Sequence, residues 1–324
     1  MPEVSPSVLI IRLDGIGDAL ALTPLLSALR GRAIPVDVVL RRANAAIFAP
    51  AAARRIVTAD FEMRSASQPN IDRIEALGRG LRGHGYSHVL VATEDPGGYR
   101  LAGAIAAPVR IGFTNGLGKP LKSLWSRRFL TTAVYRSAGL DPRGRHECEV
   151  LFQLGHSLVG DVTPAKEAPE LRPLVIEGPS QSDERVAVQI TDKWERIGIP
   201  LPDVVELVRR LASSAELRFL CARSEAPYAE RIAAATGNAI DFFDDLIEWK
   251  AAIAAAAALV APDSGATHVA GMVGTPVVSV FPSGRDFPLQ VARWAPWAAP
   301  HRIVRAGEGW PARAADALVD LLSA

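Results

Sequence analysis

The sequence predicts an α/β protein made of two halves, each with a parallel sheet covered by helices. Short Val-, Ile- and Leu-rich runs alternate with helical stretches, the alternation stops in a proline-rich segment at 159–183 and then restarts, and 324 residues suit two domains at roughly 150 residues each. We therefore expect domains at 1–165 and 166–324 that face each other across a cleft. Ligands should bind at the carboxyl ends of the strands.

The first half alternates strands and helices from its beginning. Its apolar runs, too short for helices and rich in β-branched residues, predict strands at 8–13, 36–41, 55–58, 88–93 and 109–113. Leucines at helical spacing predict a helix at 18–29, and similar patterns predict helices at 71–81 and 98–106.

The second half repeats the pattern after the proline-rich segment. It predicts strands at 186–190, 218–221, 259–261 and 277–281. Helices are predicted at 202–213, 227–235, 245–257, 265–273 and 311–322. The last helix packs either on its own, second domain or back on the first domain.

The composition excludes several classes of protein. Lys+Arg is 36 and Asp+Glu is 35, so the net charge of +1 argues against bulk nucleic-acid binding. The two cysteines, Cys148 and Cys221, cannot build a disulfide framework. Residues 1–6 lack the features of a signal peptide, and the alanine-rich run at 251–261 is too short to span a bilayer. We expect a cytoplasmic protein without a nucleic-acid partner.

The first motif follows the first predicted strand. Gly15 and Gly17 let the backbone turn tightly, and Asp18 comes at the start of the following helix. Asp18 is interpreted either as an ordinary helix cap or as a carboxylate that serves as a general base. The same glycines make half of a dinucleotide fingerprint, but Leu20 occupies its third glycine position.

The second motif joins the strand at 259–261 to the next helix. Asp263 or Ser264 can cap this helix, and Gly265 lets an anion approach the free backbone N–H groups at its start. His268 lies one turn further on, roughly on the side of Ser264. The residues together predict a diphosphate site, although His268 alone is equally compatible with a packed core.

Two further charged residues follow strands of the second half. Lys193 comes after the strand at 186–190 and is interpreted as a phosphate ligand or as a solvated loop lysine. Glu225 comes after the strand at 218–221 and would bind a ribose hydroxyl or be a surface acid.

One basic stretch stands out against the neutral total charge. Its basic residues are interleaved with Trp125 and Phe129. The stretch is either a solvated face or a binding surface for an anionic acceptor or lipid headgroups. The residues are Arg110, Lys119, Lys122, Arg127, Arg128 and Arg136.

Other motifs are missing from the sequence. No Asp-x-Asp pair signals a metal-bridged diphosphate, and the histidines and cysteines show no zinc spacing. A Walker A interpretation of 112–119 fails, because the spacing is one residue too long and Pro120 replaces Ser or Thr. No metal ligands are therefore expected.

At this point the pattern resembles glycosyltransferase family 9, the heptosyltransferases of lipopolysaccharide core assembly. The resemblance covers most of the chain and depends on the order and spacing of several short motifs. They are Arg12…Ile16-Gly17-Asp18…Thr23-Pro24, Lys193-Trp194, Asp263 to Ala270, Gly274-Thr275-Pro276-Val277, Phe281-Pro282-Ser283-Gly284 and Arg293-Trp294-Ala295-Pro296.

The resemblance implies a GT-B fold with two Rossmann-like domains, the acceptor on the first and the nucleotide donor on the second. It implies inverting transfer without a metal or other cofactor, from a nucleotide-diphosphate sugar, with an ADP-sugar favoured. Asp18 would be the base, Lys193 would bind donor phosphate, Asp263 to His268 would cradle donor phosphates and sugar, and Glu225 would contact the nucleotide. The acceptor would be an anionic or lipid-linked glycan, which implies peripheral contact with the inner membrane.

Three alternatives remain open. An NADP-dependent oxidoreductase would use Gly15 and Gly17, with Arg41 and Arg42 at the end of the second strand for the cofactor phosphate. A sugar-nucleotide epimerase of similar fold would turn over the donor without an acceptor. A non-catalytic module would bind a nucleotide and turn nothing over.

Overall fold

The computed structural model describes residues 6–178 and 182–323 and confirms the predicted α/β class. It consists of two compact units, Met1–Ala165 and Lys166–Ala324. Residues 1–5, which belong to the signal-peptide argument, and Pro179 of the proline-rich segment lie outside the described residues.

The first unit is a six-stranded parallel sheet in the order β3-β2-β1-β4-β5-β6. Its strands are β1 Val8–Arg12, β2 Val36–Arg41, β3 Arg55–Ala59, β4 His88–Val91, β5 Val109–Thr114 and β6 Thr132–Tyr135. Its helices are α1 Ile16–Leu20, α2 Thr23–Gly31, α3 Gln68–Arg82, α4 Pro96–Ile105, α5 Pro120–Arg127, α6 Glu147–Phe152 and α7 His156–Val159.

The helix predicted at 18–29 is interrupted. α1 ends at Leu20 and α2 begins at Thr23, because Pro24 has no N–H to donate to the carbonyl of Leu20. The Thr23 hydroxyl takes that place and donates to the Leu20 oxygen at 2.6 Å. The break leaves α1 as a short turn of helix that holds Asp18 directly behind β1.

The second unit is a six-stranded parallel sheet in the order β12-β11-β10-β7-β8-β9. Its strands are β7 Asp183–Gln189, β8 Leu217–Ala222, β9 Asp241–Phe243, β10 Ala256–Pro262, β11 Val277–Phe281 and β12 His301–Arg305. Its helices are α8 Ala168–Leu171, α9 Lys193–Arg196, α10 Leu201–Ala212, α11 Ala226–Thr236, α12 Leu246–Ala255, α13 Gly265–Val273, α14 Phe287–Trp294 and α15 Trp310–Leu322.

The last helix packs on the second unit, against α10 and the strands β11 and β12. Its first residue, Trp310, stacks on Trp194 with ring centroids 5.6 Å apart and donates its indole N–H to Asp203. Both tryptophans are almost fully buried. α15 thus belongs to the core of its own unit.

The central strands were predicted because they are buried on both faces, as in β1, where all five residues are buried. The outer strands β6, β9 and β12 are missed by the sequence prediction, because each contains exposed residues and lacks a continuous apolar run, whereas the outer strand β3 has no exposed residue and is predicted. Among the described residues, no helix is long and apolar enough to cross a membrane.

Candidate active site

Both sheets have a point where the strand order reverses, between β1 and β4 in the first unit and between β7 and β10 in the second. In open parallel sheets, ligands bind outside the carboxyl ends of the strands at such a point. Asp18 follows β1, Lys193 follows β7 and Asp263 follows β10. The structure therefore places the principal predicted residues of each unit at the carboxyl edge of its sheet.

Asp18 is held by two partners at this edge. Its carboxylate accepts the N–H of Gly15 at 3.1 Å, and its other oxygen accepts from Arg12 at 2.9 Å. The side chain remains about one third exposed. Burial, helped by the negative charges of Asp14 and Glu147, raises the pKa of Asp18, and Arg12 opposes the rise. The N-cap residue of α1 is Gly15 and not Asp18, which is the third residue of the helix and bonds back to the Gly15 N–H as in a capping box. Asp18 thus stabilises the start of the helix and remains a partly exposed carboxylate whose pKa is raised.

Arg12 is part of a buried ionic network that the sequence did not reveal. Its guanidinium is 2% exposed and lies 3.4 Å from both Asp14 and Glu147. Glu147 is also buried and receives two hydrogen bonds from Arg136, at 2.8 and 2.9 Å. The carboxylates of Asp14, Asp18 and Glu147 thus share the two guanidinium groups of Arg12 and Arg136. Because Glu147 lies 135 residues after Arg12, no local pattern could have indicated this contact.

The same charges act against a dinucleotide at the glycine loop of Gly15 and Gly17. The backbone N–H of Gly15 is already bonded to the Asp18 carboxylate. A pyrophosphate at this loop would also meet the negative charge of Asp14, which is unfavourable. The loop is suited to a carboxylate that takes a proton, and less to a phosphate.

In the second unit, α13 begins directly at the carboxyl edge. Ser264 is its N-cap residue, and the first N–H groups of the helix, those of Gly265 and its neighbours, have no partner within the helix. The Thr267 hydroxyl donates to the carbonyl of Pro262 and fixes the turn. The hydroxyl oxygen of Ser264 is buried without a hydrogen-bond partner in the described structure. These donors can together hold an anion.

Two polar side chains lie beside this helix end, within reach of the charge of Lys193. The Nε2 atom of His268 lies 3.8 Å from the Asp263 carboxylate, and the Lys193 charge acts on both residues. Burial, and then Lys193, lowers the pKa of His268 to about 4, whereas burial raises the pKa of Asp263. His268 is therefore neutral near pH 7 and can donate a hydrogen bond, while Lys193 provides the positive charge.

The ring of His268 is also part of the packing. It makes an edge-on contact with Trp294, with centroids 5.5 Å apart, and 10% of the side chain is exposed. The ring of His268 therefore packs in the core against Trp294, while its Nε2 atom faces Asp263, just before the start of α13.

Glu225 belongs to the same edge and follows β8, the strand beside β7. Its carboxylate accepts from the Thr191 hydroxyl at 3.1 Å and lies 3.8 Å from Arg196. Burial raises the pKa of Glu225, and this hydrogen bond opposes the rise. The carboxylate is about one quarter exposed, so an oxygen remains accessible to a hydroxyl group.

The basic stretch does not form a single binding surface. Lys119 and Lys122 follow the carboxyl end of β5 and lie 4.0 and 3.5 Å from Glu94. Arg110 lies near the amino end of β5 and donates to two backbone carbonyls, those of Phe129 and Ala107. The structure therefore separates Arg110 from the two lysines.

The remaining members of the stretch differ as well. Arg127 and Arg128 are exposed at the far end of α5, whereas Arg136 is buried against Glu147. Trp125 and Phe129, expected between these cations, pack inward on each other and on the core of the first unit.

A cavity of about 640 Å³ lies at the carboxyl ends of β2 and β3, where the sequence predicted no acceptor site. Arg41, Arg42 and Arg73 line it together with Asp60 and Glu62. Three guanidinium groups against two carboxylates leave an excess of positive charge on the edge that also carries Asp18. The sequence analysis considers the adjacent Arg41-Arg42 pair only as a ligand of a cofactor phosphate, and the same pair is the signal for this cavity.

The second unit has a cavity of about 510 Å³ at the ends of β11 and β12, lined among others by Asp203, Ser283 and Trp310. It contains none of the predicted donor residues. Within the described chain, no group of three or more His, Cys, Asp or Glu side chains could hold a metal ion.

The comparisons with known proteins agree with the geometry. Residues 206–317 match the model of glycosyltransferase family 9 (heptosyltransferase). No protein of curated description matches the chain in sequence.

Solved structures share the fold over nearly the whole chain. A glycosyltransferase family 9 protein from Veillonella parvula is 15% identical with a TM-score of 0.76, covering 100% of this chain and 99% of that one. Escherichia coli heptosyltransferase WaaC with ADP is 20% identical with a TM-score of 0.70 and coverages of 98% and 99%. Escherichia coli ADP-heptose lps heptosyltransferase II is 17% identical, with a TM-score of 0.71 and 98% of both chains covered. The GT-B fold predicted by the motifs is confirmed.

Proposed function

We propose that the chain, of which residues 206–317 match the model of glycosyltransferase family 9, is a glycosyltransferase that moves a heptose from an ADP-sugar to a lipopolysaccharide-core or other glycan acceptor. The observation that carries this proposal is the cluster of Lys193, Asp263, His268 and the start of α13 at the strand reversal of the second unit. That cluster suits the diphosphate of a nucleotide sugar, and the solved WaaC structure that shares the fold contains ADP.

The donor is held by complementary charge. Lys193 and the free N–H groups at Gly265 and Ala266 bind the diphosphate and stabilise the negative charge that develops as it leaves. Neutral His268 donates a hydrogen bond to the donor, and Glu225 accepts one from a ribose hydroxyl. These groups make the transfer independent of a metal ion and of any other cofactor.

The acceptor is activated in the first unit. Asp18 takes the proton of the acceptor hydroxyl as that oxygen attacks the anomeric carbon. The new carbon–oxygen bond forms on the face opposite the diphosphate and the bond to the diphosphate breaks. The configuration at the anomeric carbon is thereby inverted. The raised pKa of Asp18 supports this role, because a more basic carboxylate takes a proton more readily.

The anionic groups of the acceptor are bound along the same edge. We assign them to the cavity of Arg41, Arg42 and Arg73 beside β2 and β3. Lys119 and Lys122 follow β5, on the other side of the central strand β1, and would bind further anionic groups. Lipid-linked acceptors of this kind are reached from the cytoplasmic face of the inner membrane, where the protein works as a peripheral enzyme.

The test is a turnover assay with ADP-heptose and UDP-sugars, each with and without a lipopolysaccharide core acceptor. The proposal predicts release of ADP from ADP-heptose only when the acceptor is present. Isomerisation of a donor without acceptor would instead identify an epimerase. Quenching of the protein fluorescence by NADPH, without turnover of any nucleotide sugar, would indicate an oxidoreductase. Nucleotide binding with no turnover under any acceptor would reduce the protein to a binding module.

A further inference from the structure

Three leucines close to the amino end of α5 are exposed to solvent. Leu117, in the turn before the helix, is 95% exposed, Leu121 is 84% exposed and Leu124 is 71% exposed. Leu121 and Leu124 are three residues apart in one helix and therefore lie on the same face. We call these three residues the leucine face.

The other side of α5 fixes this orientation. Ser123 and Ser126 are buried, and the Ser123 hydroxyl accepts the backbone N–H of Asn115 at 3.1 Å. Trp125 packs against Tyr99 and Phe129 with centroids 6.1 and 4.9 Å away. The leucine face therefore cannot turn inward without loss of these contacts, and its exposure is a stable property of the first unit.

Basic residues outnumber acidic ones around the leucine face, where Glu94 lies beside Lys119 and Lys122. Between Asp95 and Asp141 the sequence contains no Asp or Glu and seven basic residues, of which four, Lys119, Lys122, Arg127 and Arg128, lie in α5 or next to it. Arg127 and Arg128 are exposed at the end of the same helix. An apolar face bordered by cations is typical of segments that lie in the interface of an anionic bilayer.

We propose that α5 and the turn before it dock the protein on an anionic lipid bilayer. The leucine face enters the boundary between headgroups and acyl chains, and Arg127 and Arg128 contact lipid phosphates. The surface does not suit a second copy of the chain, because a symmetric dimer would pair this cationic patch with itself. The proposal deepens the proposed function only in that a lipid-linked acceptor would lie near the edge that carries Asp18.

The test is co-sedimentation of the full chain with vesicles, without donor or acceptor. The vesicles are of phosphatidylcholine alone or with about one third phosphatidylglycerol, close to the anionic character that such segments recognise. The variants are the triple change Leu117→Ser, Leu121→Ser and Leu124→Ser and the double change Arg127→Ala and Arg128→Ala. Ile247→Ser is the matched control, because Ile247 is 63% exposed on α12 beside acidic residues.

The wild type and the Ile247 control should bind the anionic vesicles, less strongly at high salt. The leucine variant should bind at least about tenfold more weakly with an unchanged melting temperature, since three exposed side chains leave the core intact. The arginine variant should lose about tenfold on anionic vesicles only. Equal binding by the wild type and the leucine variant overturns the proposal, as does a concentration-dependent dimer that the leucine variant abolishes without any vesicle binding. Transfer to a water-soluble acceptor is measured separately, so its failure rejects the function and not the docking.

Discussion

At the scale of single residues, charge and burial decide what each group at the site can do. Lys193 supplies a positive charge where the ring of His268 cannot, because burial holds that ring neutral near pH 7. Asp18 combines partial exposure with a pKa raised by burial and by neighbouring carboxylates. Such local motifs were found from the sequence alone, since each lies within a few residues of a strand end.

Replacement of Lys193 by Met should weaken the binding of ADP by roughly ten- to hundredfold, because a hydrogen bond to a charged group is lost together with the charge. Titration calorimetry with ADP measures the change. Lys119→Met is the control, since Lys119 belongs to the first unit and contacts Glu94. An unchanged ADP affinity in the Lys193 variant would remove this residue from the donor site.

His268 should make stability depend on pH. Its pKa is about 4 in the folded chain and about 6.5 when unfolded, so the unfolded chain binds more protons between these values. The resulting stability is fully present above pH 6.5 and is lost as the pH falls toward 4, by about 2 kcal/mol between pH 7 and pH 5.

Thermal unfolding of His268→Gln measures this contribution. The drop in melting temperature from pH 7 to pH 5 should be smaller in the variant than in the wild type, because Gln does not titrate. An identical drop in both proteins would show that His268 is not held neutral.

At the scale of elements, the position of α13 determines the donor site. All its residues after Gly265 are buried. A Cβ atom on Gly271 would lie 2.9 Å from the backbone nitrogen of Trp297 and 3.1 Å from the Cα of Pro296. Backbone that close cannot rotate away as a side chain does, so the helix fits only with glycine at this position.

The change Gly271→Ala should lower the free energy of unfolding by roughly 1–3 kcal/mol and weaken ADP binding, because overpacking displaces the helix. Gly80→Ala is the matched control, since nothing lies within 4 Å of a Cβ atom there and alanine favours a helix. Melting temperature and ADP titration report both effects. A Gly271 variant as stable as the Gly80 variant would mean that α13 has room to adapt.

At the scale of the whole molecule, burial on both faces makes the central strands visible in the sequence, and the residues that follow them give most of the site. The buried network was not predictable, because Arg12, Arg136 and Glu147 come from β1, from just after β6 and from α6. Their contacts exist only once the first unit is folded. The same holds for the basic stretch, whose members the fold distributes over both ends of β5 and into the interior.

The network should set the pH dependence of transfer. The rate should rise with pH as Asp18 loses its proton, and its acid limb should lie above the ordinary range of an aspartate because the pKa is raised. Glu147→Gln removes one negative charge from Arg12 and should move this limb to lower pH by up to about one unit. The pH profile of kcat/KM measures the shift. A profile that keeps its position would show that Glu147 does not act on Asp18.

In the proposed reaction Asp18 activates the acceptor while the second unit holds the donor. The most direct test is Asp18→Asn, in which the amide oxygen can still accept the N–H of Gly15. The rate of transfer and the affinity for ADP are measured side by side. Transfer should fall by about a hundredfold or more while ADP binding stays near that of the wild type, and the melting temperature should fall modestly because the hydrogen bond from Arg12 to the second carboxylate oxygen is lost. Transfer at close to the wild-type rate would contradict it.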